Sequence, residues 1–289
     1  MTATASAANT NPGTAGTMRR SQPPLPGVWR TGLSRGQVEL RSFFRERQSV
    51  AFNFAMPAVM LVLLGTIFRG QHTGQGVTIG DLYVAGLIGG GVMATSYQNL
   101  GVSIAFERER FTLKRLRGTP MPASAYFAGK IIQVFTAATA EVAVLLAVGV
   151  AMYHLRLPAS PAAWWTFAWV FVLGVAACSL LGIAASSLPR SAARNGVAVV
   201  TLPFIVLQFI SGVYVPFTLV PPWLRDVASV FPLEWMCRGM RSVFVPQAVS
   251  LEPSHSWQHG QTALVLTAWI VAGLVLCLKT FRWQERTAR

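Results

Sequence analysis

Few side chains in this sequence have both the type and the spacing to do chemistry. His255 and His259 stand four apart, a spacing that offers two imidazoles to one metal ion on a helix. They lie in a stretch rich in Pro, Ser and Trp with no third ligand evident, so a solvated pair is expected and no metal is assigned. Cys178, Cys237 and Cys277 are odd in number and scattered, and imply neither a disulfide framework nor a metal clip. No Ser–His–Asp or Cys–His arrangement can be argued from spacing. Glu141 is different. It is the one acidic residue deep in an apolar block, sixteen residues past the start of its helix, or roughly 24 Å at 1.5 Å per residue. A carboxylate so placed is functional by default. It can line a path, pair with a cationic cargo, or sit protonated and hydrogen-bonded in a bundle.

The apolar blocks that must position Glu141 dominate the chain. Its 289 residues are 53% hydrophobic and only 12% charged, where a soluble domain carries about 25% charged residues. Several blocks reach the roughly 20 apolar residues that a spanning helix needs, so the sequence reads as an integral membrane protein. The net charge of +14 lies mostly on segments flanking those blocks. Such a distribution fits membrane orientation and argues against a nucleic-acid partner, which needs a continuous basic face. Leu33-Ser34-Arg35-Gly36-Gln37 echoes the LSGGQ signature of certain ATPases. However, no GxxxxGK[ST] loop exists to cradle phosphate, and little chain precedes the first span. No ATPase is therefore expected in this chain, and no cofactor.

Along the chain, residues 1–27 read as a disordered cytoplasmic tail, rich in Ala, Thr, Asn, Gly and Pro. Residues 28–48 read as an amphipathic helix at the bilayer surface. Trp29, Leu33, Leu40, Phe43 and Phe44 share one arc, and Arg30, Arg35, Arg41 and Arg45 lie outside it. From 49 to 289 the expectation is an all-α domain of six transmembrane helices, near 49–68, 81–105, 125–152, 163–187, 197–215 and 261–280. Gly86 and Gly90 in the second make a GxxxG that permits close helix approach. With the N-terminus inside, nineteen Lys and Arg fall on the inner side, Lys130 among them. Five fall outside: Arg69, Arg156, Arg225, Arg238 and Arg241. The positive-inside rule then puts both termini in the cytoplasm of a multi-pass cell-membrane protein.

Two segments could carry mechanism. Phe106 to Pro120 reads as a short charged cytoplasmic helix stopped by Gly118 and Pro120. It could press Leu113 and Leu116 into a groove on a soluble partner while its charges set the register, or be a positive-inside loop with incidental helicity. Phe209 to Glu234 stays apolar while Pro216, Pro221, Pro222 and Pro232 break any continuous helix. Non-helical backbone at membrane depth needs protein or a watery cavity around it, which suggests a re-entrant or interfacial helical hairpin on the outer side.

These two segments together resemble the ABC-2 family of ATP-binding-cassette permeases. The family's E-x-E-x-G-T-L-x-x-L-x-x-T-P appears here as Glu107, Glu109, Thr112, Leu113, Leu116, Thr119 and Pro120, with Phe111 in place of its Gly. Its S-G-x-x-x-P…P-P-W-L…P-L appears as Ser211, Gly212 and Pro216, then Pro221, Pro222, Trp223 and Leu224, then Pro232 and Leu233, closed by Arg241. The daunorubicin-resistance type of drug permease is the most similar in size and motif. The resemblance implies two permease subunits, alike or homologous, joined to two ABC ATPase subunits that bind the ATP and Mg. It implies that Phe106, Glu107, Arg108, Glu109, Arg110, Leu113, Lys114 and Leu116 couple to the ATPase, assisted by the helix of Trp29, Leu33, Leu40 and Phe44. Pro216, Pro221, Pro222, Trp223 and Pro232 would shape an outer cap, and Glu141, Gln208, Ser211 and Tyr214 are assigned to the translocation path. Cargo in the family is hydrophobic drugs, antibiotics, polysaccharides or lipid-linked molecules. A proton-coupled secondary transporter using Glu141 is the alternative. A membrane-embedded transferase is not favoured, since no polar catalytic cluster is evident.

Overall fold

The computed structural model describes residues 28–45, 47–68, 72–73, 77–112, 115, 123–187, 196–215 and 217–280. The tail at 1–27 therefore lies outside the described residues, as do Leu113, Lys114, Leu116 and Pro216 and the side chain of Trp29. Helices dominate the rest: α1 (Val28–Arg45), α2 (Arg47–Ile67) and α3 (Ile79–Met93), which passes through a π-helical stretch, Ala94–Asn99, into α4 (Leu100–Glu109). Then come α5 (Ala123–Tyr153), α6 (Pro161–Ala185), α7 (Gly196–Ile210), α8 (Pro222–Val230), α9 (Pro232–Phe244) and α10 (His259–Thr280). A two-residue antiparallel ladder, β1 (His72–Thr73) on β2 (Val77–Thr78), precedes α3.

Helix starts follow local chemistry. Thr78 caps α3 by accepting from the Asp81 amide at 3.2 Å, and the Asp81 carboxylate complements the helix dipole. At α6, Ser160 accepts from the Ala163 amide at 3.2 Å, and Pro161 starts the helix where its missing N–H costs nothing.

Among the described residues, four helical stretches are long and apolar enough to cross a membrane: Ile79–Glu109, Ser124–Tyr153, Pro161–Ala185 and His259–Lys279. α2 and α7 supply shorter apolar stretches, Asn53–Ile67 and Val197–Ile210. The 31-residue helix from Ile79 is central, with 78% of its apolar window buried, against 17% for α10 at the periphery. Its glycines make that position possible. A Cβ at Gly86 would lie 3.0 Å from the Val213 carbonyl oxygen, one at Gly89 2.9 Å from the Cys237 sulfur, and one at Gly91 2.6 Å from Glu141 Oε1. Three neighbours thus approach the backbone of one helix, as small residues allow in lipid.

Two boundaries differ from expectation. The second span continues to Glu109, so Phe106 to Glu109 form its last turn and not the start of a separate helix. The break falls at Phe111, whose φ is +54°, and the Arg115 amide then donates to the Phe111 carbonyl at 3.1 Å as a new helical turn opens. Phe111 stands where the resembling family carries Gly, the residue that adopts positive φ without steric cost. The fifth span stops at Ile210, short of 215, because Gly212 turns the chain with φ +79°.

Candidate translocation path and its coupling elements

At one end of the bundle, α1 lies along α5. Gly32 and Gly36 allow the approach: a Cβ at Gly36 would sit 3.0 Å from Ile132 Cδ1. One turn on, Glu39 is buried, and its carboxylate takes a hydrogen bond from the Lys130 ammonium at 2.9 Å. Lys130 is only 1% exposed and also binds the Glu107 carboxylate and Ser103 Oγ, the latter at 3.2 Å. Tyr126 donates to Glu107 at 2.8 Å, and Arg35 pairs with Glu39. Lys130 therefore ties together α1, α4 and α5 and is not a free orientation charge. Buried cations persist when paired in this way.

This arrangement sorts the proposed coupling residues. Glu107 is engaged within the chain, and Arg108 donates to the Ser186 carbonyl at 3.0 Å and to Ser187 Oγ at 3.1 Å. Phe106 and Arg110 are exposed and Glu109 is half-buried. On α1, Leu33 and Phe44 are exposed and Leu40, one turn from Gly36, is half-buried at the edge of the Gly32–Gly36–Glu39 contact.

Besides a smaller cavity of about 230 Å³ beside Tyr83, Gly212 and Arg241, two larger ones adjoin the central helix among the described residues. A polar vestibule of about 550 Å³ opens among α1, α2, α4 and α5, walled by Glu39, Glu107, Lys130, Arg110, Gln133 and Thr95 among others. A largely apolar groove of about 570 Å³ runs between α2 and α7, walled by Met56, Met60, Phe204, Phe209, Gln208 and Tyr214 among others. Asn53 and Asn99 line both, and Asn99 Nδ2 donates to Asn53 Oδ1 at 2.8 Å.

Of the residues assigned to the path, Gln208 and Tyr214 line the groove. Glu141 is 2% exposed and lines neither cavity; it lies behind Gly91 and accepts a hydrogen bond from Thr95, inside the π-helical stretch. π turns recur at functional sites, and this one aims Thr95 at the carboxylate. Ser211 is fully buried in the turn that ends α7, outside the groove lining.

Beyond α7, α8 and α9 form a helical hairpin around Phe231. Pro221, Pro222 and Trp223 are exposed, while Pro232 is buried at the start of α9. α9 packs against α3 and α6 and carries a charge network that the sequence reading missed. Arg238 pairs with Glu234 at 2.7 Å, Arg241 binds Glu252 at 2.6 Å, and Arg241 reaches the Gly212 carbonyl at 3.4 Å. Arg238 also lies 4.7 Å over the Trp235 ring. Arg238 and Arg241 are thus buried and balanced by two carboxylates, and are not loop charges facing solvent. Burial raises the Glu234 carboxyl above its usual range, with Arg238 and Arg241 opposing. Burial alone would lower Arg241, but the Glu252 carboxylate raises it further and keeps it charged. The i,i+4 spacing of Glu234 and Arg238 was the readable signal; Glu252 gave none.

His259 lies with Nε2 3.0 Å from Ser242 Oγ, and among the described residues no three His, Cys, Asp or Glu could hold a metal ion.

Known proteins bear on this architecture. The sequence profile of the family described as ABC-2 type transporter matches residues 36–245, which take in α1 from Gly36 on, the glycine-rich central helix and the α8–α9 hairpin. A Porphyra purpurea protein named as a transport permease, ycf38, is 27% identical over 211 residues, covering 70% of this chain and 69% of its own. An Escherichia coli (strain K12) protein named as a multidrug ABC transporter permease, YbhR, is 28% identical over 167 residues, covering 58% of this chain and 44% of its own. The match therefore spans less than half of that bacterial relative. Membership implies partnership with an ABC ATPase. With four helices among the described residues long and apolar enough to cross a bilayer and a family profile over most of its length, the chain belongs to the ABC-2 type transporter family, as an integral membrane subunit of a transporter.

Proposed function

We propose that the chain is the membrane half of an ATP-driven exporter, working with a separate ATPase and a second permease copy or homologue to move a hydrophobic drug-like or lipid-like cargo outward. In this reading α2, the Ile79–Glu109 helix, α5, α6, α7 and α10 are the six spans. Both termini are cytoplasmic, α1 lies at the inner interface, and the α8–α9 hairpin re-enters from the outer side. The observation that carries the reading is the Lys130 junction. A push on the exposed end of the central helix, at Phe106, Glu109 and Arg110, reaches α1 and α5 through Glu107 and Lys130. The same helix walls both cavities, so its displacement acts on the space that would hold cargo.

Phe106, Glu109 and Arg110, with Leu113, Lys114 and Leu116 beyond them, present the docking surface. Glu107 and Arg108 transmit its movement inward, and Gln208 and Tyr214 contact cargo. Glu141 holds the π turn through Thr95. Glu109→Lys should lower ATP-dependent uptake into inverted vesicles about tenfold while leaving membrane insertion and the amount of folded chain unchanged. Unaltered ATP-coupled uptake in that variant, or uptake by the purified chain without any ATPase, overturns the proposal.

A further inference from the structure

The vestibule and the groove differ in character but share a wall. On the vestibule side, Glu39 and Glu107 face Lys130 and Arg110, so charges balance and a head group of net charge gains little there. On the groove side Met, Leu, Ile and Phe dominate the lining; Asn53, Gln98, Asn99 and Tyr214 are half-buried there, and the one fully buried amide is Gln208, which is 4% exposed. Its orientation is fixed chemically: the Gly90 carbonyl can only accept, so the Gln208 group 3.0 Å from it must be the NH₂. Gln208 Oε1 is then left buried without a donor, as is Gln133 Oε1 on the vestibule side. Buried acceptors without partners are costly unless something fills them. The Asn53–Asn99 hydrogen bond is the polar contact across the shared wall, and Asn99 belongs to the π-helical stretch.

We propose that vestibule and groove are two halves of one binding site for a single-chain amphiphile with a neutral or zwitterionic head and a hydrogen-bond donor on its apolar body, parted by Asn53 and Asn99. The head occupies the charge-balanced vestibule, the chain lies along α2 and α7, and the donor meets Gln208 Oε1. Each half is the size of a pocket for a drug-sized molecule. Binding across both requires the Asn53–Asn99 contact to open, so the closed state lowers apparent affinity by its population. This names the cargo class of the exporter function proposed above, and it rests on that reading only for the fate of the bound molecule.

The test uses the full chain in native membranes with a photoactivatable lysophosphatidylcholine, and mass spectrometry to locate the label. Label should fall on α2 and α7, around Met56, Met60 and Phe209, and be displaced by excess unlabelled lipid. A mid-chain hydroxyl should strengthen binding several-fold in the wild type, and Gln208→Leu should erase that preference. Asn99→Ala or Asn53→Ala, by removing a bond worth about a factor of five, should tighten binding about fivefold, a gain that mere damage to the fold does not produce. Label spread equally onto lipid-facing Leu264 and Leu278 of α10 overturns the site, as does label that cannot be displaced. So does a groove closed to label by a second copy of the chain, or affinity unchanged or weakened in both Asn variants. Labelling needs no ATP and no ATPase: a chain that binds but never transports overturns the exporter reading alone, and one that transports without this labelling overturns the site alone.

Discussion

Lys130→Met should destabilise the folded chain by about 3–5 kcal/mol and abolish ATP-coupled transport. Removing one member of a buried ion network strands the others, and uncompensated buried charge costs about that much. Lys130 is the shared donor to Glu39 and Glu107; Arg35 remains beside Glu39, so Glu107 is the group that loses its only cation among the described residues and keeps just the Tyr126 hydroxyl. A drop in unfolding temperature on the order of 10 °C follows for a chain of this size, measured on the purified protein in one detergent. The double variant Lys130→Met/Glu107→Gln should recover most of the stability and little of the transport, because the ionic tether joining α1, α4 and α5 is still missing and only the Tyr126 hydrogen bond links α4 to α5. Recovery of both, or a single variant as stable as the wild type, shows that the junction neither holds nor transmits.

The second large effect is expected at Arg241. Its guanidinium binds Glu252 through Nε and reaches the Gly212 carbonyl through Nη1, so one side chain secures α9, the segment after it and the turn that ends α7. Arg241→Met should cost about 3 kcal/mol or more by leaving Glu252 with only the longer contact to Arg238, 3.5 Å. Arg241→Lys should not restore the loss, since a compact ammonium lacks the wide planar fork whose Nε and Nη1 reach Glu252 and the Gly212 carbonyl at once. Arg241→Met/Glu252→Gln should recover at least half of it. Thermal unfolding of the four proteins decides the matter: equal stability of the Met and wild-type chains, or full rescue by Lys, removes Arg241 from this role.

The spanning helices were legible because a bilayer demands long apolar blocks, and the chain supplies them. The apolar arc of α1 was legible from its helical period; of that arc Leu33 and Phe44 stand exposed, while Leu40 and Phe43 are half-buried. Its other face was not. Gly32, Gly36 and Glu39 repeat at helical spacing, yet small residues among arginines give no hydropathy signal, and it is the small residues that let α1 reach α5. Lys130 and Arg241 were counted as topological charges because their partners are remote in the chain. Glu39 lies 91 residues from Lys130 and Glu107 lies 23, and no periodicity links such positions. The family motifs fared better as geometry. The Ser211-Gly212 pair and the closing Arg241 meet at the Gly212 carbonyl, and the glycine is needed because the backbone there is left-handed. Glu141 stood out in the sequence, but its partner Thr95 is offered by a π turn, for which the polar run Thr95, Ser96, Gln98 and Asn99 was the sole hint.

That turn carries one residue more than the α-helix it interrupts, and each added residue swings everything after it by about 100° around the axis. The glycine face ahead of Ala94 and the charged end after Asn99 are therefore aimed independently, like two keys cut on one shaft. A single-residue deletion within 94–99 would rotate Glu107 away from Lys130 while leaving Gly86, Gly89 and Gly91 in their seats.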